Sequence, residues 1–529
     1  MNRSTIAFGL CIAAVAVGAL AFRLPRLTMR PMHPDEANQA VRTGILYDSG
    51  VYRYDPSQHH GPSLYYLSLA PLAASGARDF AASDEFDYRI VPAVFGAGLV
   101  LLLLLIADGI GRTAAVAAGI LTAVSSAMVF YSRYYIQEMT LVFFTFAAIV
   151  LAWRYVETRS IVWAVAAGAA VGLMHATKET WVLAAGAAAA AIVLAAAWTR
   201  LRDGKAIEIR PLLGARAIIA GAAAAVLVAA ALYSSFGANL QGPLDSVLAF
   251  GNYVTRAGAG EGELHSHPWH SYLLTLIYDR RGPGIVWTEG LIVGLAGVGI
   301  AAALARKGGA DGRAALLRFL AFYTVILTAV YAAIPYKTPW CMLSFLHGMI
   351  LMAGVGAAAV IGWMPRFWGK AAACIVLGLL AAHLGWQAYR LNYRFYADER
   401  NPYNYAYASA DVQNLARLME RLAESSPDGR NLLIKVISPE NYWPLPWYLR
   451  RFNPDRVGYY EEAPADPDAT VVIMSPTVQA EVEARLKGRY NKQAAFGLRP
   501  GVLLLVYVDD ALWEKFVARQ AAASGLHHE

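Results

Sequence analysis

Charge is scarce in this 529-residue chain: 16% of its residues are Asp, Glu, Lys or Arg, against 57% that are hydrophobic. A soluble domain carries roughly 25% charge, so most of this sequence is unsuited to a water-facing surface. Cysteine is also rare. Cys11, Cys341 and Cys374 all lie in apolar runs without CxxC spacing, which excludes a disulfide framework and leaves them as packing residues. The sequence has no GxxxxGK[ST] loop, which argues against ATP-driven export. It has no internal repeat of the kind many transporters show. The formal net charge is +7, but the basic residues are scattered through short loops between apolar runs, so no nucleic-acid partner is expected.

What the chain has instead is long apolar runs, such as Val91–Ala107 and Leu183–Trp198. About 20 apolar residues cross a bilayer core as a helix. Read this way, spans fall near 4–22, 88–107, 113–131, 138–154, 160–177, 181–198, 216–236, 285–304, 316–334, 340–362 and 371–386. The expected fold is therefore a polytopic α-helical membrane protein of about eleven spans in contact with membrane lipids. Dense alanine and glycine within the spans suit close helix packing in lipid. The first run imitates a secretory signal, but Arg23, Pro25 and Arg26 follow it directly, and we read it as an uncleaved first helix. Arg3, Arg112, Arg154, Arg200, Arg306 and Arg366 share one side, which the positive-inside rule assigns to the cytoplasm. An integral inner (plasma) membrane protein is expected, with a cytoplasmic N-terminus and long outward loops at 23–87 and 237–284.

These features make residues 1–386 a transmembrane domain. From 387 to 529 the composition becomes that of an extracytoplasmic soluble domain. Leu432–Ile437, Thr470–Met474 and Val502–Val508 read as buried strands, and Asp411–Ser425 and Thr477–Tyr490 as amphipathic helices. A small α/β domain with a partly parallel sheet follows. Asp466-Pro467-Asp468 reads as a turn.

Ionisable groups near a membrane are expensive and invite functional readings. His33-Pro34-Asp35-Glu36 follows the first span and reads as a helix start, with the acids at its positive end. Either carboxylate could serve as a base there, or both could simply favour the helix terminus. Few cations stand at outward span ends: Arg133 beside Tyr134, Lys178 and Lys337. Each is placed to meet a membrane-embedded phosphate or to anchor its helix at the interface. Glu138 and Glu179 lie beside these cations and are expected to pair with them, contact with sugar hydroxyls being the alternative. In the second long loop, His265, His267 and His270 cluster near Pro268, without an adjacent acid or thiol, and read equally as contacts to the acceptor or donor headgroup and as metal ligands. Arg280 could bind phosphate or anchor the next span. His59-His60-Gly61-Pro62 marks a turn into an amphipathic segment.

At these residues the chain resembles the GT-C class of polytopic membrane glycosyltransferases, and most of all the protein O-mannosyltransferase and lipid A aminoarabinose transferase group. The likeness rests on Asp35-Glu36 after the first span, the Gly61-Pro62-Ser63-Leu64-Tyr65-Tyr66 segment, and Arg133-Tyr134 after the third span. It implies inverting transfer of a monosaccharide from a polyprenyl-phosphate carrier to a protein, lipid or glycan acceptor, without a metal or other cofactor. In that scheme Asp35, with Glu36 beside it, is the catalytic carboxylate and Arg133 binds the donor phosphate; position adds Lys178 and Lys337. His33, His60, Tyr134, Glu138, Glu179, His267 and Arg280 are further candidate substrate contacts. Gly61-Pro62-Ser63 departs from the group's double proline, and the soluble tail is not a general feature of it. The rival readings are a transporter or flippase of lipid-linked sugars and a non-catalytic assembly subunit.

Overall fold

The computed structural model describes residues 3–56, 60–204, 214–258, 265–307, 312–493 and 495–525. Among them, eight helices are long and apolar enough to cross a membrane: Arg3–Arg23, Glu85–Leu105, Glu138–Thr158, Trp181–Asp203, Ala215–Tyr233, Arg313–Ala333, Pro339–Trp363 and Phe367–Tyr393. Three shorter apolar helices, Arg112–Val124, Ile161–His175 and Gly290–Ala305, stand at the remaining expected positions. Large apolar side chains such as Leu10, Val17, Leu227 and Leu379 are exposed along the helices. That pattern fits lipid, where only the backbone must be satisfied internally.

The expected span 113–131 is not one helix. It breaks at Ser125 into Arg112–Val124 and Ser126–Tyr131, with the Ser125 hydroxyl capping the second piece by accepting from the Met128 amide at 3.4 Å. The final span is longer than its apolar run, because Phe367–Tyr393 continues through the polar turn around Gln387 and Arg390.

Glycine sets the closest helix contacts. A Cβ at Gly299 would overlap the Met352 carbonyl oxygen, and one at Gly356 would overlap that of Leu295, so the helices Gly290–Ala305 and Leu343–Trp363 touch backbone to backbone. Gly168 does the same against Gly221. Without a hydrophobic drive between helices in lipid, close approach of this kind supplies the packing energy.

The chain divides into two compact units. The first comprises Met1–Leu27, Val51–Ala70 and Arg89–Tyr405; the second comprises Thr28–Gly50, Pro71–Tyr88 and Ala406–Glu529. The second unit therefore takes in the segment that follows the first helix as well as the C-terminal part of the chain.

Among the described residues, the second unit is built on six strands: β1 (Ile434–Ile437), β2 (Val457–Tyr460), β3 (Val471–Met474), β4 (Tyr490–Lys492), β5 (Phe496–Arg499) and β6 (Val502–Asp509). Their order is β2-β1-β3-β6-β4, with β5 on β6. β1 runs parallel to β2 and β3, while β6 is antiparallel to β3 and β4. Helix Asp411–Ser425 buries Val412, Leu415, Met419 and Leu422, the face expected from its period. The helix expected over 477–490 is shorter, running only from Gln479 to Arg485. Asp468 accepts the amides of Lys487 and Gly488 at 3.1 and 3.2 Å, which turns the chain so that Tyr490 can open β4.

Candidate active site

Adjacent carboxylates at the start of helix Pro34–Ser49 occupy different environments. His33 is the N-cap: its Nδ1 accepts the Asp35 amide at 3.0 Å, and the Glu36 carboxylate accepts the His33 amide at 3.0 Å. This is a capping box with an imidazole in place of the usual hydroxyl. Glu36 is fully buried and paired with Arg30 at 3.2 Å. The Asp35 side chain is 51% exposed, and its carboxylate stands 4.0 Å from the His33 Nδ1 that accepts the Asp35 amide, a contact without an ion pair. The Met32 amide donates to the Tyr448 hydroxyl at 2.9 Å, which ties this turn to the rest of the second unit. Sequence reasoning treated the two acids together; their surroundings leave Asp35 as the accessible one.

In the first unit, the short link between helices Ile161–His175 and Trp181–Asp203 carries Lys178 and Glu179. Lys178 is ion-paired with Glu138, and both are buried. Glu179 accepts from Tyr54 at 3.2 Å and sits 2.8 Å from His60 Nδ1. Burial pushes the Glu179 carboxyl up, but the charge and hydrogen bond of His60 and the nearby Lys178 more than offset this, so it is held below its ordinary range. The expected pairing of Glu138 with a cation is thus present, whereas Glu179 turns to His60 and not to Lys178.

The Gly61-Pro62-Ser63 turn is shaped by this link. A Cβ at Gly61 would overlap the Ala176 carbonyl oxygen, which accepts the Ser63 amide at 2.7 Å. The Ser63 hydroxyl meets that of Thr177 at 2.7 Å. The turn thereby delivers His60 to Glu179, and His59 lies outside the described residues.

Lys337 stands on the approach to helix Pro339–Trp363. Its ammonium donates to the carbonyls of Ala332, at 3.0 Å, and Ile334, and lies 5.7 Å from the Tyr272 ring centroid. The Tyr272 hydroxyl donates to the Thr338 carbonyl at 3.0 Å, and Thr338 Oγ1 lies 3.2 Å from Cys341 Sγ. Cys341 in turn is within electrostatic reach of Lys178 and Glu138. Lys337, Tyr272, Thr338 and Cys341 are thus linked by contacts, with the Lys178–Glu138 pair within electrostatic reach of Cys341. Sequence reasoning had set Cys341 aside as packing, and Tyr272 carried no signal beyond aromaticity.

The histidine cluster is spread along a backbone pairing. The His267 amide donates to the Pro335 carbonyl at 3.1 Å and the Lys337 amide to the His265 carbonyl at 3.0 Å. The His265 ring bonds to the Tyr405 hydroxyl, and His270 precedes helix Ser271–Ile277. Burial, with the charges of Lys337, His265 and Arg281, holds the His267 imidazole below its ordinary range. Among the described residues, no group of three His, Cys, Asp or Glu is placed to hold a metal ion. Arg280 is exposed, while Arg281 pairs with Asp279 at 3.2 Å.

Arg133 stands at the end of the first helix. Its guanidinium donates to the carbonyls of Arg23, Pro25 and Arg26 and to the Tyr393 hydroxyl, at 2.5 to 3.2 Å. Arg23 is itself buried, donating to Ser132, Ala19, Ala123 and Thr122. Together the two arginines lash the end of the first helix to the broken third span. Tyr134 is buried against the rings of Phe130 and Tyr131, at 5.2 and 5.5 Å.

Sequence reasoning also missed Glu289. It is fully buried and accepts from the Ser125 hydroxyl at 2.8 Å, the Ala127 amide at 2.7 Å and the Tyr403 hydroxyl at 3.2 Å. The available signal was an acid placed directly before the apolar run Gly290–Ala305.

Residues 71–238 match the family model described as dolichyl-phosphate-mannose-protein mannosyltransferase. The sequence matches no curated protein. Similar solved structures include ArnT from Cupriavidus metallidurans bound to undecaprenyl phosphate, at 14% identity over 94% of this chain and 97% of that one, with a TM-score of 0.62. The same protein in the apo state aligns at 14% identity over 95% and 98% of the two chains, with a TM-score of 0.63. The archaeal oligosaccharyltransferase AglB from Archaeoglobus fulgidus, in complex with an inhibitory peptide and a dolichol-phosphate, aligns at 12% identity over 97% and 77%, with a TM-score of 0.58. At such identities the structural likeness speaks for the fold. Eight long apolar helices among the described residues, a strand-containing C-terminal part and these matches make the chain a polytopic membrane protein with a GT-C-like fold, similar to ArnT and AglB, in which residues 71–238 resemble the protein mannosyltransferase model.

Proposed function

We propose that the chain is an inverting glycosyltransferase that moves a monosaccharide from a polyprenyl-phosphate donor to an acceptor at the outer membrane face. The observation that carries this reading is the contrast at the first acidic pair: Glu36 is buried in the helix cap, and Asp35 presents a half-exposed carboxylate beside it. Asp35 takes the proton from the acceptor nucleophile. The nucleophile attacks the anomeric carbon from the face opposite the phosphate, the bond from that carbon to the phosphate oxygen breaks, and the polyprenyl phosphate departs with the electron pair.

A departing phosphate needs positive charge where it develops. Lys178 and Lys337 supply it in this reading, supported by the link from Lys337 through Tyr272 and Thr338 to Cys341, which lies within electrostatic reach of Lys178. Glu138 holds the Lys178 ammonium in place, and His60 with Glu179 offers donors and acceptors to sugar hydroxyls. Arg133, whose guanidinium clamps residues 23–26, is a further cation proposed for the donor phosphate. The similarity to a structure of ArnT bound to undecaprenyl phosphate favours a polyprenyl carrier. We place the N-terminus in the cytoplasm and the C-terminal part outside, in keeping with the basic loops.

The test is label transfer from a panel of polyprenyl-phosphate monosaccharides into a native membrane extract. Incorporation with one donor supports the reading and names its sugar; consumption of none, with the lipids still bound, overturns it in favour of transport or assembly.

A further inference from the structure

A cleft of about 1090 Å³ opens within the second unit, lined by helices Asp411–Ser425 and Asp510–Gly525 and by the segment around Arg450. Its volume is slightly above the usual range for small-molecule pockets, roughly 300–1,000 Å³. Trp513 and Phe516 supply an aromatic wall, their ring centroids 5.0 Å apart. Gln413, Arg417 and Arg421 follow one another at spacings of four along helix Asp411–Ser425, so they form one polar ridge beside that wall.

A second set of polar groups is held rigidly by Trp447. Its indole N–H donates to Glu85 Oε1 at 3.0 Å, and the Arg450 guanidinium stacks 3.7 Å over its ring. Arg450 also donates to the carbonyls of Trp447 and Ser83, at 2.8 and 2.5 Å, while its buried Nε finds no hydrogen-bond partner among the described residues. Both Glu85 and Arg450 line the cleft. A cation and a carboxylate fixed in advance lose little freedom when they bind a ligand.

The chemistry of this lining selects its ligand. A pyranose ring offers an apolar C–H face and a rim of hydroxyls, each both donor and acceptor. An aromatic wall takes the face, and amides, guanidinium groups and carboxylates take the rim. A site for phosphate alone has no use for carboxylates in its wall, and an apolar peptide groove has no use for so many fixed polar groups. Guanidinium groups outnumber carboxylates four to three along the lining, which favours a ligand with an acidic group.

We propose that this cleft is a saccharide-binding site that takes an oligosaccharide carrying a carboxylate. The proposal is independent of the transfer reaction, because binding is measured without any donor lipid.

The experiment titrates the detergent-solubilised full-length protein with trigalacturonate, maltotriose and inorganic phosphate. Trigalacturonate is expected to bind, maltotriose at least tenfold more weakly, and phosphate only at far higher concentration. Arg417→Gln and Trp513→Ala should each weaken trigalacturonate binding about tenfold. Arg417 is exposed, so its variant keeps the test decisive should Trp513→Ala lower the unfolding temperature. Absence of binding by trigalacturonate, equal binding of phosphate, or wild-type binding by Arg417→Gln in a folded protein overturns the site. Equal binding of maltotriose overturns its acidic specificity.

Discussion

Asp35 and Glu36 lie one residue apart on the same helix, yet their surroundings set opposite expectations for substitution. Glu36 is buried, capped to the His33 amide and paired with Arg30. Glu36→Gln removes the carboxylate that pairs with Arg30 and accepts the His33 amide, and we expect it to cost about 3 kcal/mol, the scale for breaking a buried pair. Thermal unfolding of the solubilised protein checks this; an unchanged midpoint contradicts it. Asp35→Asn should leave that midpoint in place, because a half-exposed side chain with one distant partner contributes little to folding. Glu179 gives a prediction in pH. Its carboxyl is depressed in the folded chain, so its contribution is present above the unfolded value near 4.5 and is lost as pH falls through the lower folded value. Wild type should therefore lose stability on acidification below about pH 4.5, and Glu179→Gln should flatten that limb of the stability profile. Equal acid sensitivity of the two proteins contradicts the assignment.

Helix positions in the first unit were legible because a bilayer demands long apolar runs, and composition alone carries that signal. The break at Ser125 was not, since it depends on Glu289, a carboxylate more than a hundred residues away that accepts from Ser125 and Ala127. Strands β1, β3 and β6 were legible as apolar runs, while β2, β4 and β5 are short and only partly buried, and carry no clear alternation. Close helix packing leads to a further test. Gly299→Val or Gly356→Val should lower the unfolding temperature sharply, because each Cβ meets a facing backbone carbonyl. Gly297→Ala, on the same helix with open space around it, should be neutral. Equal effects at Gly297 and Gly299 contradict backbone contact between helices Gly290–Ala305 and Leu343–Trp363.

For the whole molecule, the division into two units was only half visible in the sequence. The composition change after residue 386 signalled the C-terminal part, whereas Thr28–Gly50 and Pro71–Tyr88 join the second unit through tertiary contacts such as that of Met32 with Tyr448. The candidate site was legible as types of residue at the ends of spans. It was not legible as contacts, because Tyr272, Thr338 and Cys341 acquire meaning only once folding brings them to Lys337 and within electrostatic reach of Lys178. The proposed topology predicts that, in a chain with its native cysteines replaced, Lys487→Cys reacts with an impermeant maleimide on intact cells. Arg366→Cys should react only after permeabilisation, and the reverse pattern contradicts the orientation.

In the proposed reaction Asp35 accepts the proton of the acceptor. Transfer from the active polyprenyl-phosphate donor, compared between wild type and Asp35→Asn at matched unfolding temperature, tests it most directly. A loss of at least a hundredfold in rate is expected, the lower end of what a general base contributes, about 10² to 10⁴. Transfer at the wild-type rate by a folded Asp35→Asn protein would contradict it and leave Asp35 as a residue that only favours the start of its helix.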